Sequence, residues 1–231
     1  IDLDKEKIKF YQDQLSTADF FGEADALNMF SDLGIHANKS IIVSNQDDLL
    51  TLSKTLSFPV VLKTAVDNVL HKSELNAVYL GIESQEHLLE SYQELQKNLP
   101  GDALLASMIE SNGIEMILGM TTDQQLGPMI TIGFGGYYAE ALKDAVTLMP
   151  PFTAETAKKA IKSLRMKSLL DGYRGTDPVD INAFAQMASV FSLIAIEFKE
   201  QISEIDINPV ILGKDNCIAV DALISLHQQK K

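Results

Sequence analysis

Between Ile202 and Val210 the chain alternates apolar with oxygen-bearing residues, through Glu204-Ile205-Asp206-Ile207-Asn208-Pro209. A period of two is that of a strand with one buried face, and it puts Glu204, Asp206 and Asn208 on the other face. Thirteen residues after Asn208 comes Asp221, inside a second apolar run from Cys217 to Ile224. If the two runs lie side by side, Asp221 falls near Asn208. Oxygen ligands on neighbouring strands suit Mg²⁺, which takes one or two protein ligands and completes its shell with phosphates and water. Magnesium held this way points to nucleotide chemistry, so Asn208 and Asp221 are the candidate metal ligands.

The rest of the pattern divides into helices interspersed with strands, then a strand-rich half. Residues 1–20 are polar and are expected to form a linker or N-terminal arm. Asp25 to Leu33 has a helical apolar stripe ended by Gly34. Ser40 to Val43 reads as a strand, and Ser44 as the N-cap of a helix buried through Leu49, Leu52 and Leu56. Pro59 opens the strand Val60 to Lys63, and Ala77 to Gly81 is a further strand. Ser84 caps a helix to about Lys97, and the breaker cluster Asn98-Leu99-Pro100-Gly101-Asp102 marks the expected boundary between subdomains 21–102 and 103–231. Beyond it come strands Leu104 to Ile109, Ile114 to Thr121 and Met129 to Phe134, the last two joined as a hairpin. Helices follow from Thr153 and from Asp180. The expected class is α+β with two lobes.

With 231 residues and 46% apolar content the chain can build a sizeable core. Its net charge of −13 argues against nucleic acid, which needs a basic footprint to neutralise phosphates. No apolar run is long enough for a membrane span, and the start shows no signal-peptide core. The first residue is not Met, so a trimmed chain or a piece of a longer one is expected. The single Cys217 forms no internal disulfide and reads as a small core residue, in keeping with a cytoplasmic location.

Other residues are weaker candidates. Lys63 ends an apolar strand and is placed to offer a point charge to a phosphate. His71, in a loop beside Lys72 and Ser73, is a candidate phosphoryl acceptor, since neutral imidazole is nucleophilic. His36, His87 and His227 read as ordinary helix or terminal histidines. Gly135 and Gly136 follow a strand, where paired glycines let backbone N–H groups approach an anion. Glu140 and Asp144 flank Lys143 as metal-linked or solvated acids, and Glu115 opens a strand where a carboxylate accepts a ribose hydroxyl.

Together, Phe58-Pro59-Val60-Val61-Leu62-Lys63, Leu70-His71-Lys72-Ser73, Gly113-Ile114-Glu115, Gly127-Pro128, Gly135-Gly136, Glu140 to Asp144, Asp171-Gly172-Tyr173-Arg174-Gly175, Asp206 to Pro209 and Val220-Asp221-Ala222 resemble the ATP-grasp domain of the NDP-forming acyl-CoA synthetases, over about residues 20 to 226. These include the ADP-forming acetate–CoA ligases, and the domain is similar to the β-subunit nucleotide domain of succinyl-CoA synthetase. The resemblance implies an ATP-grasp fold that clamps ATP or ADP with Mg²⁺ between its lobes. It implies a reversible reaction in which acyl-CoA, ADP and phosphate give acid, CoA and ATP through an acyl phosphate and a phosphohistidine. It implies that Lys63 and Glu115 contact the nucleotide, that backbone groups of Ser107-Met108-Ile109-Glu110 meet adenine, and that Asn208 and Asp221 hold Mg²⁺. His71 corresponds to the second, catalytic histidine that passes phosphate to the nucleotide. The primary phosphohistidine and the CoA site are implied to lie on partner domains or an α subunit.

Two departures bear on turnover. The family pattern has Gly-Gly where this chain has Asn76-Ala77, and an arginine where it has Thr147 or Leu148. Fewer positive-φ positions and one cation fewer weaken the phosphate side. They raise an alternative, a degenerate regulatory nucleotide-binding module of a protein acetyltransferase-type fusion. A scaffold that binds no nucleotide is a third reading.

Overall fold

The computed structural model of the chain describes residues 2–65, 77–109, 113–123, 125–136 and 143–227. The chain divides into two compact units, Asn38–Ile109 and Ile1–Ala37 with Glu110–Lys231. These limits differ from the expected 21–102 and 103–231. The difference is greatest at the start, where the expected arm over residues 1–20 instead contains helix α1 (Lys5–Thr17). Asp4 caps it by accepting from the N–H groups of Glu6 and Lys7, and Ile8, Tyr11 and Leu15 line its buried side. Tyr11 donates to Asp32 Oδ2 at 2.8 Å, at the end of α2 (Glu23–Asp32). A polar helix is thus tied into the core by one stripe.

Asn38–Ile109 is continuous in sequence. It comprises β1 (Ile41–Val43), α3 (Gln46–Leu52), β2 (Val60–Thr64), β3 (Val78–Ile82), α4 (Gln85–Asn98) and β4 (Ala103–Ser107). The strands form an antiparallel sheet ordered β1-β4-β2-β3. Leu49 of α3 and Leu88, Tyr92 and Leu95 of α4 cover one face of it, over Val43, Val60, Leu62 and Leu105. The expected Ser84 cap is in place, accepting from His87 N–H. At α3 the cap is Asn45, not Ser44; its side chain accepts from Asp48 N–H at 2.9 Å.

The other unit is built on β5 (Ile114–Asp123), β6 (Gly127–Phe134), β7 (Ala145–Leu148), β8 (Ile202–Leu212), β9 (Cys217–Ala219) and β10 (Ala222–Leu226). Its antiparallel sheet runs β10-β8-β5-β6-β7, with β9 also on β8. Helices α5 (Ala154–Ile161) and α6 (Ile181–Glu197) start at the expected caps Thr153 and Asp180. α6 is apolar almost all round and buries Phe184, Phe191 and Ile194, which explains its place at the centre of the core. Met116, Leu118, Ile130, Ile132, Ile205 and Ile207 turn one face of the sheet to that core, with α1, α2, α5 and α6. The alternate residues Glu115, Gly119, Thr131, Thr147, Asp206 and Asn208 occupy the opposite face, none of them buried.

Candidate functional site

The alternation in β8 places Glu204, Asp206 and Asn208 on the face away from the core, as expected. On one side of β8, Ala222 pairs with Ile207, and the next step brings Asn208 opposite Asp221: Asn208 N–H donates to the Asp221 carbonyl at 3.2 Å. This backbone pairing sets Asn208 beside Asp221 in the chain path, at the break between β9 and β10. On the other side, Met116 pairs with Val210 and Leu118 with Ile207. Asn208 and Pro209 therefore both oppose Ile117, a bulge of the kind that re-aims a side chain beside a site. The expected single run from Cys217 to Ile224 is interrupted at the same level: β9 and β10 are separated by Val220 and Asp221, with Val220 N–H donating to the Pro209 carbonyl at 3.0 Å.

β5 and β6 bring the remaining members. Gly135 N–H donates to the Glu115 carbonyl at 2.8 Å. A Cβ on Gly135 would lie 3.4 Å from Asn208 Oδ1, and one on Gly136 only 2.6 Å from Glu115 Oε2. Gly136 also has φ +74°, so glycine is needed there for both space and conformation. Glu115, Gly135, Gly136 and Asn208 thus converge on one corner of the sheet's open face, with the backbone of Asp221 paired to Asn208. Hard oxygen donors from an amide and carboxylates are the set Mg²⁺ prefers, and a bare glycine backbone beside them leaves room for phosphate. Among the described residues no group of three or more His, Cys, Asp and Glu side chains is placed to hold a metal ion.

Asp144, read as metal-linked or solvated, has a different role. It is 5% exposed and accepts from Arg165 N–H at 3.0 Å and Met166 N–H at 2.8 Å, with Arg165 Nε 3.5 Å away. Burial pushes its carboxyl pKa up, but these N–H bonds and the guanidinium outweigh it and hold the pKa below the usual value. It ties the chain after α5 to the end of β6, where Phe134 N–H donates to its carbonyl. Of the two positions at which an arginine was expected, Thr147 is exposed on the face of Asn208, and Leu148 packs on the core.

The other candidates lie in the unit Asn38–Ile109. Lys63 is in β2 on the face opposite Val60 and Leu62 and is 6% exposed, so it is not a solvated strand end. Ser107 ends β4, and its carbonyl accepts from Asn38 Nδ2 at 2.9 Å. Met108 N–H donates to the Pro59 carbonyl at 3.0 Å, and Ile109 closes the unit. Asn38 was not singled out in the sequence, because a loop amide that supports a carbonyl has no pattern to find. His71, Asn76 and Glu140 lie outside the described residues.

A family profile described as an ATP-grasp domain matches residues 16–226. The chain belongs to the ATP-grasp family. This ATP-grasp chain is 33% identical over 211 residues to the acetate–CoA ligase [ADP-forming] I subunit beta of Pyrococcus furiosus, covering 88% of this chain and 90% of the relative. It is 30% identical over 213 residues to the acetate–CoA ligase [ADP-forming] I of Archaeoglobus fulgidus, covering 89% of this chain but 31% of that longer protein. Among solved structures it is similar to a dinucleotide-forming acetyl-coenzyme A synthetase 1 of Ca. Korarchaeum cryptofilum, with TM-score 0.82 and 30% identity over 94% of this chain and 98% of that one. That protein was solved with coenzyme A and Mg-AMPPCP, its phosphohistidine segment pointing towards the nucleotide-binding site.

Proposed function

We propose that this ATP-grasp chain is the nucleotide-binding part of an ADP-forming acyl-CoA synthetase, which converts acyl-CoA, ADP and phosphate to acid, CoA and ATP. The observation that carries the proposal is the pairing of Asn208 with Asp221 across β8, beside Glu115 and the Gly135-Gly136 backbone. Asn208 Oδ1 and the Asp221 carboxylate are the residues that hold Mg²⁺. When bound, the ion offsets phosphate charge and fixes phosphate geometry. The Gly135 and Gly136 backbone gives the phosphates a close approach, and Glu115 accepts from the ribose. In the other unit Lys63 is the cation for a phosphate. Positioning and electrostatics, not covalent chemistry by these residues, supply the acceleration.

The CoA site and the phosphohistidine that brings the phosphoryl group belong to companion domains or an α subunit, which supports reading the chain as one part of a hetero-oligomer or larger polypeptide. The relatives are ligases, one of them a β subunit that this chain nearly spans. That supports the ligase over the acetyltransferase-fused regulatory module. Among the described residues no helix is long and apolar enough to cross a membrane. Titration calorimetry with ADP, with and without Mg²⁺, tests the proposal. Heat that depends on Mg²⁺ and is lost in Asn208→Ala is the expected result; no heat at millimolar nucleotide refutes it.

A further inference from the structure

The proposed chemistry leaves unused a basic island on the far side of the sheet. Residues 154–175 hold six of the nineteen bases, Lys158, Lys159, Lys162, Arg165, Lys167 and Arg174, against two acids, Glu155 and Asp171. That segment is net +4, so the other 209 residues carry −17 of the chain's −13 total. Its first half, α5, packs Ala157 and Ile161 into the core from the side opposite Asn208. Lys159, Lys162, Arg165, Lys167 and Arg174 are exposed. Arg165 is held by Asp144, and Lys159 lies 4.0 Å from Glu155 with both side chains in solvent. Among the described residues no ion pair engages Lys162, Lys167 or Arg174.

A second feature stands at the end of this stretch. Arg174 has φ +53°, between Gly172 at +87° and Gly175 at +90°. A left-handed arginine costs on the order of 1 kcal/mol and persists where its surroundings enforce it. Here Thr176 Oγ1 enforces it, accepting from Tyr173 N–H at 3.0 Å and donating to the Tyr173 carbonyl at 2.9 Å. The guanidinium sits 5.4 Å from the centroid of the Tyr173 ring, which is 48% exposed. The turn therefore presents a stacked Tyr–Arg pair to solvent in a fixed conformation. Tyr and Arg are the side chains that most often anchor protein interfaces, and prior ordering lowers the entropy lost on docking.

We propose that this island, with Tyr173 and Arg174 as its anchor, is the surface on which the companion part of the ligase docks through an acidic face. The inference rests on the reading of the chain as one part of a larger ligase. The remainder of the chain is net −17, which disfavours docking of such a face elsewhere and biases it towards one orientation. Docking from the helix layer leaves the Asn208 face of the sheet clear.

The test measures association of the chain with the companion region, which carries the CoA and phosphohistidine segments, by surface plasmon resonance over a range of salt. Four forms are compared: wild type, K162E/K167E, Arg174→Gly, which tolerates the positive φ, and Arg174→Lys. The charge reversals should slow association by about tenfold or more at low salt and flatten its salt dependence. Arg174→Gly should speed dissociation, with Arg174→Lys only partly restoring it. All three variants should keep the wild-type heat of Mg²⁺–ADP binding. Unchanged companion binding in variants that still bind Mg²⁺–ADP overturns the proposal and leaves the function standing. Absence of nucleotide binding in the wild type removes the function itself. Capture of a labelled DNA or RNA strand by the wild type at physiological salt, lost on charge reversal with companion binding unaffected, also overturns it.

Discussion

At Gly133 the sheet has room for a hydrogen and nothing more. A Cβ there would lie 2.7 Å from Ala145 Cβ and 2.9 Å from the Asp144 carbonyl oxygen. Gly133→Ala should cost about 1–3 kcal/mol, and adding Ala145→Gly should recover part of it; thermal melts of the three variants decide this. For the proposed metal pair, Asp221→Asn should weaken ADP binding by roughly tenfold in Mg²⁺, about 1.4 kcal/mol, and leave Mg²⁺-free binding unchanged. Loss of both in parallel would mean a folding defect. Asp144 gives a pH signature. Because its folded pKa lies below the ordinary carboxylate value, its stabilisation is complete above about pH 4 and is lost as pH falls through the folded value. Asp144→Asn should therefore be less stable than wild type at pH 7, with the gap in melting temperature closing towards pH 3. The place of Asn208 on the open face of β8, and its backbone pairing with Asp221, were readable because a period of two exposes a face and the apolar runs imply a neighbour. The burial of Asp144 was not, because its partners are backbone N–H groups 21 and 22 residues away.

At the scale of elements, caps and stripes identified most helices, and α1 shows where they fall short. Its three buried residues, Ile8, Tyr11 and Leu15, have helical spacing, and Asp4 is an ordinary cap. Eight charged or amide side chains from Asp4 to Gln14 obscure that stripe. Leu15 is 3% exposed, so Leu15→Ala should destabilise by about 2–5 kcal/mol, measured by denaturant unfolding. A change near zero would mean that α1 is the loose arm its composition suggests. The split between β9 and β10 also escaped the apolar pattern, because the bulge at Asn208-Pro209 is a property of paired strands and not of either run alone. Cys217 in β9 matched its reading. Burial pushes its thiol pKa up to about 12, with Asp180 adding to the shift. Its reaction with a disulfide reagent in the native protein at pH 8 should be slower than in the unfolded chain by orders of magnitude.

For the molecule as a whole, the α+β class and the family were within reach of the sequence, and the limits of the two units were not. A breaker cluster at residues 98–102 looks like a boundary, yet α4 and β4 on either side of it share one core. Composition reports loops, and it cannot report which strands pair across them. Local signals were also silent on the chain's return: Ala219 N–H donates to the His36 carbonyl, joining segments 183 residues apart. Because Asn38–Ile109 is an uninterrupted stretch with a core of its own, it can be complete while the ribosome is still translating the C-terminal half. The apolar stripes of α1 and α2 must wait for β5, β6 and α6 to emerge before they are covered. Nascent chains stalled beyond residue 140 should therefore protect the central segment from protease while the first 37 residues remain open to cleavage and to chaperones.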